Sequence, residues 1–284
     1  MFPKLPPLRK LAQIDRVNLL VVWGYAPSDA VAPIVPALNL PVLLGSLSPV
    51  GIHRPEILNL AAPLHASLDP LIRYLQLRQP LKTALVAAQV GSMQQWAQTL
   101  SQALPALTDT KVDIVLPEQM DFRSLITRLK SAGVRSVGLF LTPPQIKIFI
   151  AQARTIKFAP AYFGMDTFND SEIHALFATE AQGPIFADAD IDPEYGAYYT
   201  KKFGPSEHIV EAARGDLLAQ MLLHIANSSG PTFSKDAITQ ALHTFPSGKG
   251  PAGVYKLVED SRFGSYLWAE SVLYGVSSGK VERR

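Results

Sequence analysis

The sequence predicts an α/β protein of two Rossmann-like lobes with parallel sheets, and three observations carry that expectation. Short apolar, β-branched runs alternate with helix-length segments from residue 83 to 164. Two earlier runs, residues 17–23 and 40–44, each end in a turn of small residues. No repeat, low-complexity tract or long linker separates the parts, so the strands themselves must join the lobes.

Residues 4–15 read as a helix, with Leu8, Leu11, Ala12 and Ile14 roughly on one side after a proline-broken start. The run 17–23 suits a strand buried on both faces and stops at Gly24. After Tyr25-Ala26-Pro27, Ser28 stands where an N-cap belongs, with Asp29 in the first turn and an apolar run behind it. The run 40–44 ends in Gly45-Ser46-Leu47-Ser48-Pro49. Two hydroxyl-bearing turns thus lie at the carboxyl ends of neighbouring strands, the edge where open α/β sheets bind ligands. A capping hydroxyl at a helix start suits a carboxylate or phosphate, and ordinary capping and turn roles account for Ser28, Ser46 and Ser48 as well.

A short strand at 57–61 and a helix at 65–77 follow. The regular part then reads strand 83–88, helix 92–104, strand 112–116, helix 122–132, strand 136–141, helix 144–156 and strand 161–164, which implies right-handed crossovers and a sheet covered on both faces. Strand 183–187 leads through Asp192-Pro193 into helix 193–203, then come helices 209–227 and 234–243, and strands 253–258 and 265–269 around a turn. Lobe 1 is expected to comprise residues 1–62 and 188–250 and lobe 2 residues 63–187 and 251–284, with strand crossovers near 61–63, 187–190 and 250–253 as the hinge.

Composition narrows the chemistry. Lys plus Arg is 26 against 24 for Asp plus Glu in 284 residues, a net charge of +2 that predicts no nucleic-acid partner. Cysteine is absent, so disulfides and thiolate metal sites are excluded. No run approaches the roughly 18 apolar residues of a membrane span, and the first residues lack the apolar core of a signal peptide, which leaves a cytoplasmic location open. The six histidines are never three or four residues apart, and no phosphate-loop, dinucleotide, nucleophile-elbow or zinc-protease motif occurs. No cofactor, metal or catalytic residue is implied. Asp188, Asp190 and Asp192 alternate as metal ligands do, but lack a closing Glu and read as a solvated acidic loop.

Asp166 is the carboxylate singled out, since it follows a buried strand at a carboxyl edge where it can pair with an ammonium; a turn or capping role competes. Trp23 and Tyr25 are candidate aromatic walls or core residues. Gln89 and Thr142 end two further strands at the same edge, with Ser92 and Thr142 equally suited to capping helices.

With these residues in place, the chain resembles the substrate-binding proteins of ABC importers for branched-chain amino acids, the leucine/isoleucine/valine-binding type with a type I periplasmic-binding fold. The resemblance spans nearly the whole sequence. It rests on Asp15-Arg16-Val17, Gly24 with Ser28, Pro33, Leu40-Pro41, Gly45-Ser46, Asp121-Phe122 with Leu125 and Leu129-Lys130, Gln152-Ala153-Arg154, Gly164-Met165-Asp166, Ala181-Gln182-Gly183 and Ser278-Gly279-Lys280 in that order and spacing. It implies that the turns from Trp23 to Ser28 and Gly45 to Ser48 hold an amino acid's carboxylate and ammonium. Closure over the interlobe cleft then adds Asp166 to the ammonium, with residues near Gln89 and Thr142. The implied partner is an ABC permease, and the implied location is extracytoplasmic.

Two departures stand out. The family's opening strand, helix and second strand have no counterpart here, so the strand at 17–23 is expected to present an unpaired apolar edge, as in a mis-set start or a truncated copy without binding activity. Arg214-Gly215-Asp216 stands where the family has an aromatic before the Asp, which alters one cleft wall. The rival readings are a ligand-sensing module of the same fold and an enzyme of two Rossmann-like domains, such as a glycosyltransferase.

Overall fold

The computed structural model describes residue 8 and residues 10–45, 54–60, 64–77, 82–104, 112–204, 209–260 and 264–284. The chain forms two compact units, Met1–Pro63 with Asp190–Glu270 and Leu64–Ala189 with Ser271–Arg284.

Of the helix expected over residues 4–15, Leu8 is helical and Lys10–Ile14 form a π-helical turn, while residues 4–7 and 9 lie outside the described residues. Strand β1 (Leu20–Val22) leads into α1 (Tyr25–Val31), a 3-10 turn (Ala32–Ile34) and α2 (Val35–Leu38). Prolines stand in the first turn of both of the last two segments, and their missing N–H groups break one helix into three short pieces. Asn39, left-handed at φ 54, closes the run. Strands β2 (Val42–Leu44) and β3 (Ile57–Asn59) pair in parallel with β1 in the order β1-β2-β3.

The chain then builds most of unit 2: α3 (Leu64–Gln76), β4 (Thr83–Ala88), α4 (Gly91–Ala103), β5 (Asp113–Val115), α5 (Arg123–Ser131), β6 (Ser136–Phe140), α6 (Pro143–Thr155), β7 (Ala161–Gly164), α7 (Ser171–Ala175) and β8 (Ile185–Ala189). It returns to unit 1 for α8 (Pro193–Phe203), α9 (Ile209–Ser228), α10 (Lys235–His243), β9 (Gly248–Gly250), β10 (Gly253–Asp260) and β11 (Gly264–Ala269), and ends in unit 2 with β12 (Ser271–Ser277) and β13 (Lys280–Arg283). The sheets run β1-β2-β3-β11-β10-β9 and β13-β12-β8-β7-β6-β4-β5.

Both sheets are mostly parallel, as the alternation requires, with antiparallel pairs at one end of each: β9, β10 and β11 in unit 1, and β12 and β13 against β8 in unit 2. The apolar strand runs follow from burial on both faces. In unit 1, Leu43 and Leu58 pack with Leu217, Met221 and Leu242 of α9 and α10, while Val42, Leu44 and Ile57 pack with Val31 and Val35. In unit 2, Phe122, Phe149, Tyr162 and Phe177 form a continuous chain of ring contacts, with Phe149 fully buried.

Three expectations are corrected. Residues 251–270 belong to unit 1, because β11 runs beside β3 with Ser265 opposite Leu58 and Tyr266 opposite Asn59. The third crossing between units therefore falls at Glu270–Ser271 and not near residue 250. The acidic alternation is no solvated loop. Asp188 lies in β8 at 2% exposure, taking a hydrogen bond from Asn169 Nδ2 at 3.0 Å, and Asp192 caps α8 by accepting from the Glu194 and Tyr195 amides.

Asp192 also accepts from Lys249, and this hydrogen bond, the largest influence, with the cap holds its carboxyl below the ordinary 3.8. A depressed acid stabilises the fold above its unfolded value, and that contribution fades as the pH falls through the lowered folded value. The start of α8 is therefore expected to fray only below pH 3.8, and Lys249→Met to move fraying upward toward it. Amide shifts of Glu194 and Tyr195 across an acid titration check both directions.

Strand β1 ends its sheet. Among the described residues no strand pairs with its outer side, and Val21 is 37% exposed there. No helix among the described residues is long and apolar enough to cross a membrane.

Candidate functional site

In unit 2 the carboxyl ends of β7, β6 and β4 lie side by side, since the three strands are parallel neighbours. Gln89 follows β4 directly, Thr142 is two residues beyond β6, and Asp166 is two beyond β7. The fold thus brings three of the sequence candidates to one edge.

The Asp166 turn is built tightly. A Cβ on Gly164 would stand 2.6 Å from the Phe168 ring and 2.7 Å from the Leu139 carbonyl oxygen. Glycine therefore lets Phe168 fold back under the strand, and the 3-10 turn Asp166–Phe168 follows at once. Asn169 donates its backbone N–H to the Asp166 carbonyl at 2.8 Å and its side chain to Asp188 of β8. His174 Nε2 meets the Phe168 carbonyl at 2.9 Å. With its turn tied on both sides, Asp166 is half-buried and its Oδ1 is out of contact with solvent.

Thr142 caps α6. Its N–H and Oγ1 both lie within hydrogen-bond distance of Gln145 Oε1, at 3.3 and 3.1 Å, and buried Gln145 donates onward to the Leu116 and Gln119 carbonyls. The hydroxyl donates once, and its lone pairs still accept. Gln89 is exposed, with its amide held by the Val115 carbonyl at 2.7 Å. Ser92, offered as a cap, lies inside α4, whose N-cap is Val90.

In unit 1, Trp23 stands at the carboxyl end of β1 with 43% exposure. Its indole lies over Gly45, where a Cβ would come within 2.7 Å of the ring. The small residue after β2 is thus the seat of the aromatic after β1, and the Gly45 amide donates to the Val22 carbonyl.

Ser28 corrects the sequence reading in role. The helix begins at Tyr25 with Gly24 as N-cap at φ 99, a left-handed position that favours glycine, so Ser28 lies within the helix rather than at its start. Its amide donates to the Gly24 carbonyl at 3.1 Å. It is fully buried, and among the described residues its Oγ has no hydrogen-bond partner. Ser46 and Ser48 lie outside the described residues.

Two residues were missed. Thr167 Oγ1, next to Asp166, and Asn59 Oδ1, at the carboxyl end of β3, are buried without a hydrogen-bond partner among the described residues. The signal for Asn59 was available: a polar residue closing the apolar run Ile57-Leu58 at the edge already under suspicion. No cluster of three His, Asp or Glu side chains suited to a metal ion occurs among the described residues.

A family model described as periplasmic binding protein matches residues 8–269. No curated protein matches the chain. Among solved structures, a leucine-binding protein of Thermotoga maritima is 18% identical, superposing with a TM-score of 0.76 over 98% of this chain and 81% of its own. A solute-binding protein of R. palustris, solved with benzoate, is 14% identical with a TM-score of 0.77 over 98% and 79%. A type 1 periplasmic binding protein of Bordetella pertussis Tohama I is 13% identical with a TM-score of 0.79 over 98% and 83%. At these identities the likeness is one of fold: two α/β units with mostly parallel sheets, the type I periplasmic-binding architecture.

Proposed function

The chain belongs to the periplasmic binding protein family, and from that premise we propose that it is the solute-binding component of an ABC transporter, handing an amino acid of the branched-chain type to a permease outside the cytoplasm. The observation that carries this reading is the gathering of Gln89, Thr142 and Asp166 at the ends of three adjacent parallel strands, the edge where such sheets bind ligands.

Asp166 is the counter-ion of the ammonium in this proposal. Its turn is fixed in advance by Gly164, Asn169 and His174, so little ordering is left to offset binding. Thr142 Oγ1, which already donates to Gln145, offers the ammonium an acceptor, and the exposed Gln89 amide makes a neutral contact. In unit 1 the buried Ser28 hydroxyl is the donor proposed for the carboxylate, with Trp23 as an apolar wall beside it. Ser46 and Ser48 retain proposed contacts on the strength of the family resemblance. The reading needs no catalytic residue, metal or cofactor.

The test is a thermal-shift screen of the full chain against the twenty common amino acids, their amides and small carboxylates including benzoate. Ligand at about 1,000 times its Kd adds roughly 4 kcal/mol to the binding unit, which raises its Tm by on the order of 10 °C. Leucine, isoleucine or valine is expected to give the largest shift. A cooperative melt unmoved by every compound overturns the proposal, and a shift with benzoate alone replaces the amino acid by an aromatic acid.

A further inference from the structure

Asp188 is, among the described residues, the one acid that is buried, at 2% exposure. The core does not call for it. Taking a carboxylate out of water is costly, and an apolar residue of similar volume serves stability as well or better; Phe186 and Ala187, just before it in β8, are of that kind. We propose that Asp188 is a positioning residue of the binding site: through Asn169 it sets where the Asp166 carboxylate stands. The proposal rests on Asp166 as the counter-ion of the ammonium.

Strand register brings the two acids to the same edge. β7 and β8 run parallel with Gly164 opposite Phe186, so Asp188 lies as far beyond that pair in β8 as Asp166 lies beyond it after β7. Residues two apart on a strand share a face. Phe186 stacks on the Phe168 ring at 6.5 Å between centroids, and Asp188 Oδ2 accepts from the Asn169 side chain at 3.0 Å. One strand face thus grips both the last residue of the Asp166–Phe168 turn and the residue that closes it. Asn169 passes the hold on, since its backbone N–H donates to the Asp166 carbonyl at 2.8 Å.

An ionised acid suits this task better than an amide. It has acceptors only, so the Asn169 side chain has one orientation to take, and its charge strengthens the bond roughly twofold. The carboxylate is held in its turn. Its Oδ1 accepts from the Ala189 amide at 2.7 Å, and the Tyr274 hydroxyl donates to the Ala189 carbonyl at 3.2 Å.

The test exchanges the pair in the full-length chain at pH 8, above the range in which two facing carboxyls share a proton. Asn169→Asp sets acceptor against acceptor. Adding Asp188→Asn returns a donor to the pair, and the new side chain can still accept from the Ala189 amide. Calorimetric titration with L-leucine reads affinity, and hydrogen exchange of the Phe168 and Asn169 amides by NMR reads the turn without ligand. Asn169→Asp is expected to lower leucine affinity about tenfold and to speed exchange at both amides, and the double variant to restore both. The sign is diagnostic, because the single variant adds a negative charge beside the ammonium site, which by charge alone tightens binding. Unchanged or tighter binding, unchanged exchange, or a double variant as weak as the single one would each overturn the proposal. If the parent chain takes up no leucine, the amino-acid reading falls, and the exchange rates alone decide whether Asp188 holds the turn. Should Asn169→Asp fail to melt cooperatively, Asn169→Ala, which removes the donor without adding charge, takes its place and is expected to weaken binding and speed exchange alike.

Discussion

Asp166→Asn is expected to weaken binding of the amino acid that gives the largest thermal shift by about 3 kcal/mol, roughly a hundredfold or more in Kd. The change keeps the side chain's shape and removes its charge, so an ammonium loses its counter-ion while the turn that holds the residue stays built. Groups besides the carboxylate secure that turn: the Asn169 amide on the Asp166 carbonyl, the Asn169 side chain on Asp188, and His174 on the Phe168 carbonyl. The unliganded variant should therefore melt within a few degrees of the parent. Calorimetric titration with the ligand, beside a melt of the free variant, checks both halves. An affinity change below about threefold would remove Asp166 from the ammonium site, and a collapsed melt would make it a structural residue.

The second large effect belongs to the core. Phe149→Ala should lower the stability of unit 2 by about 4 kcal/mol, the range of buried phenylalanine truncations. Phe149 is fully buried, touching Phe122 at 5.6 Å and Tyr162 at 6.5 Å between ring centroids. Removing it opens a void where two rings lose their packing partner, and α6 loses one of the side chains it buries alongside Ile146, Ile150 and Ala153. Denaturant unfolding followed through the near-ultraviolet aromatic signal reads the loss. A change under about 1 kcal/mol would mean that the surrounding rings collapse into the space.

The regular part of unit 2 was legible because its signals agree: apolar runs buried on both faces, separated by segments of helical period. The helix after β1 was harder. Ser28 looks like a cap in sequence, but Gly24 alone can take φ 99, and the helix starts as soon as that turn is made. Proline spacing hid the break from α1 to α2, since Pro33 and Pro36 each fit a helix start as well as a helix stop.

The last hairpin went unread although its signature was present. Ser278 and Gly279, at φ 49 and φ 73, form the two-residue loop between β12 and β13. Membership of a strand in one sheet or the other is a long-range property, and for that reason residues 251–270 were misassigned: nothing local tells β11 that its neighbour is β3. Of the site, the strand ends were readable, but the buried hydroxyls of Ser28 and Thr167 are visible only once packing is known.

Three passages of the chain from one unit to the other fix an order of assembly on the ribosome. The strands β4 to β8 leave the exit tunnel as one uninterrupted stretch, so the parallel portion of unit 2 is complete while the rest is still being translated. Unit 1 has to wait. Its first three strands are synthesised early, yet the Asn59 side chain finds the Ser265 carbonyl 206 residues later, and until then β3 shows nascent-chain chaperones an open, apolar edge. Non-local pairing of this kind is slow and exposed to aggregation, which makes unit 1 the half whose yield in the cell depends most on translation speed and chaperone supply.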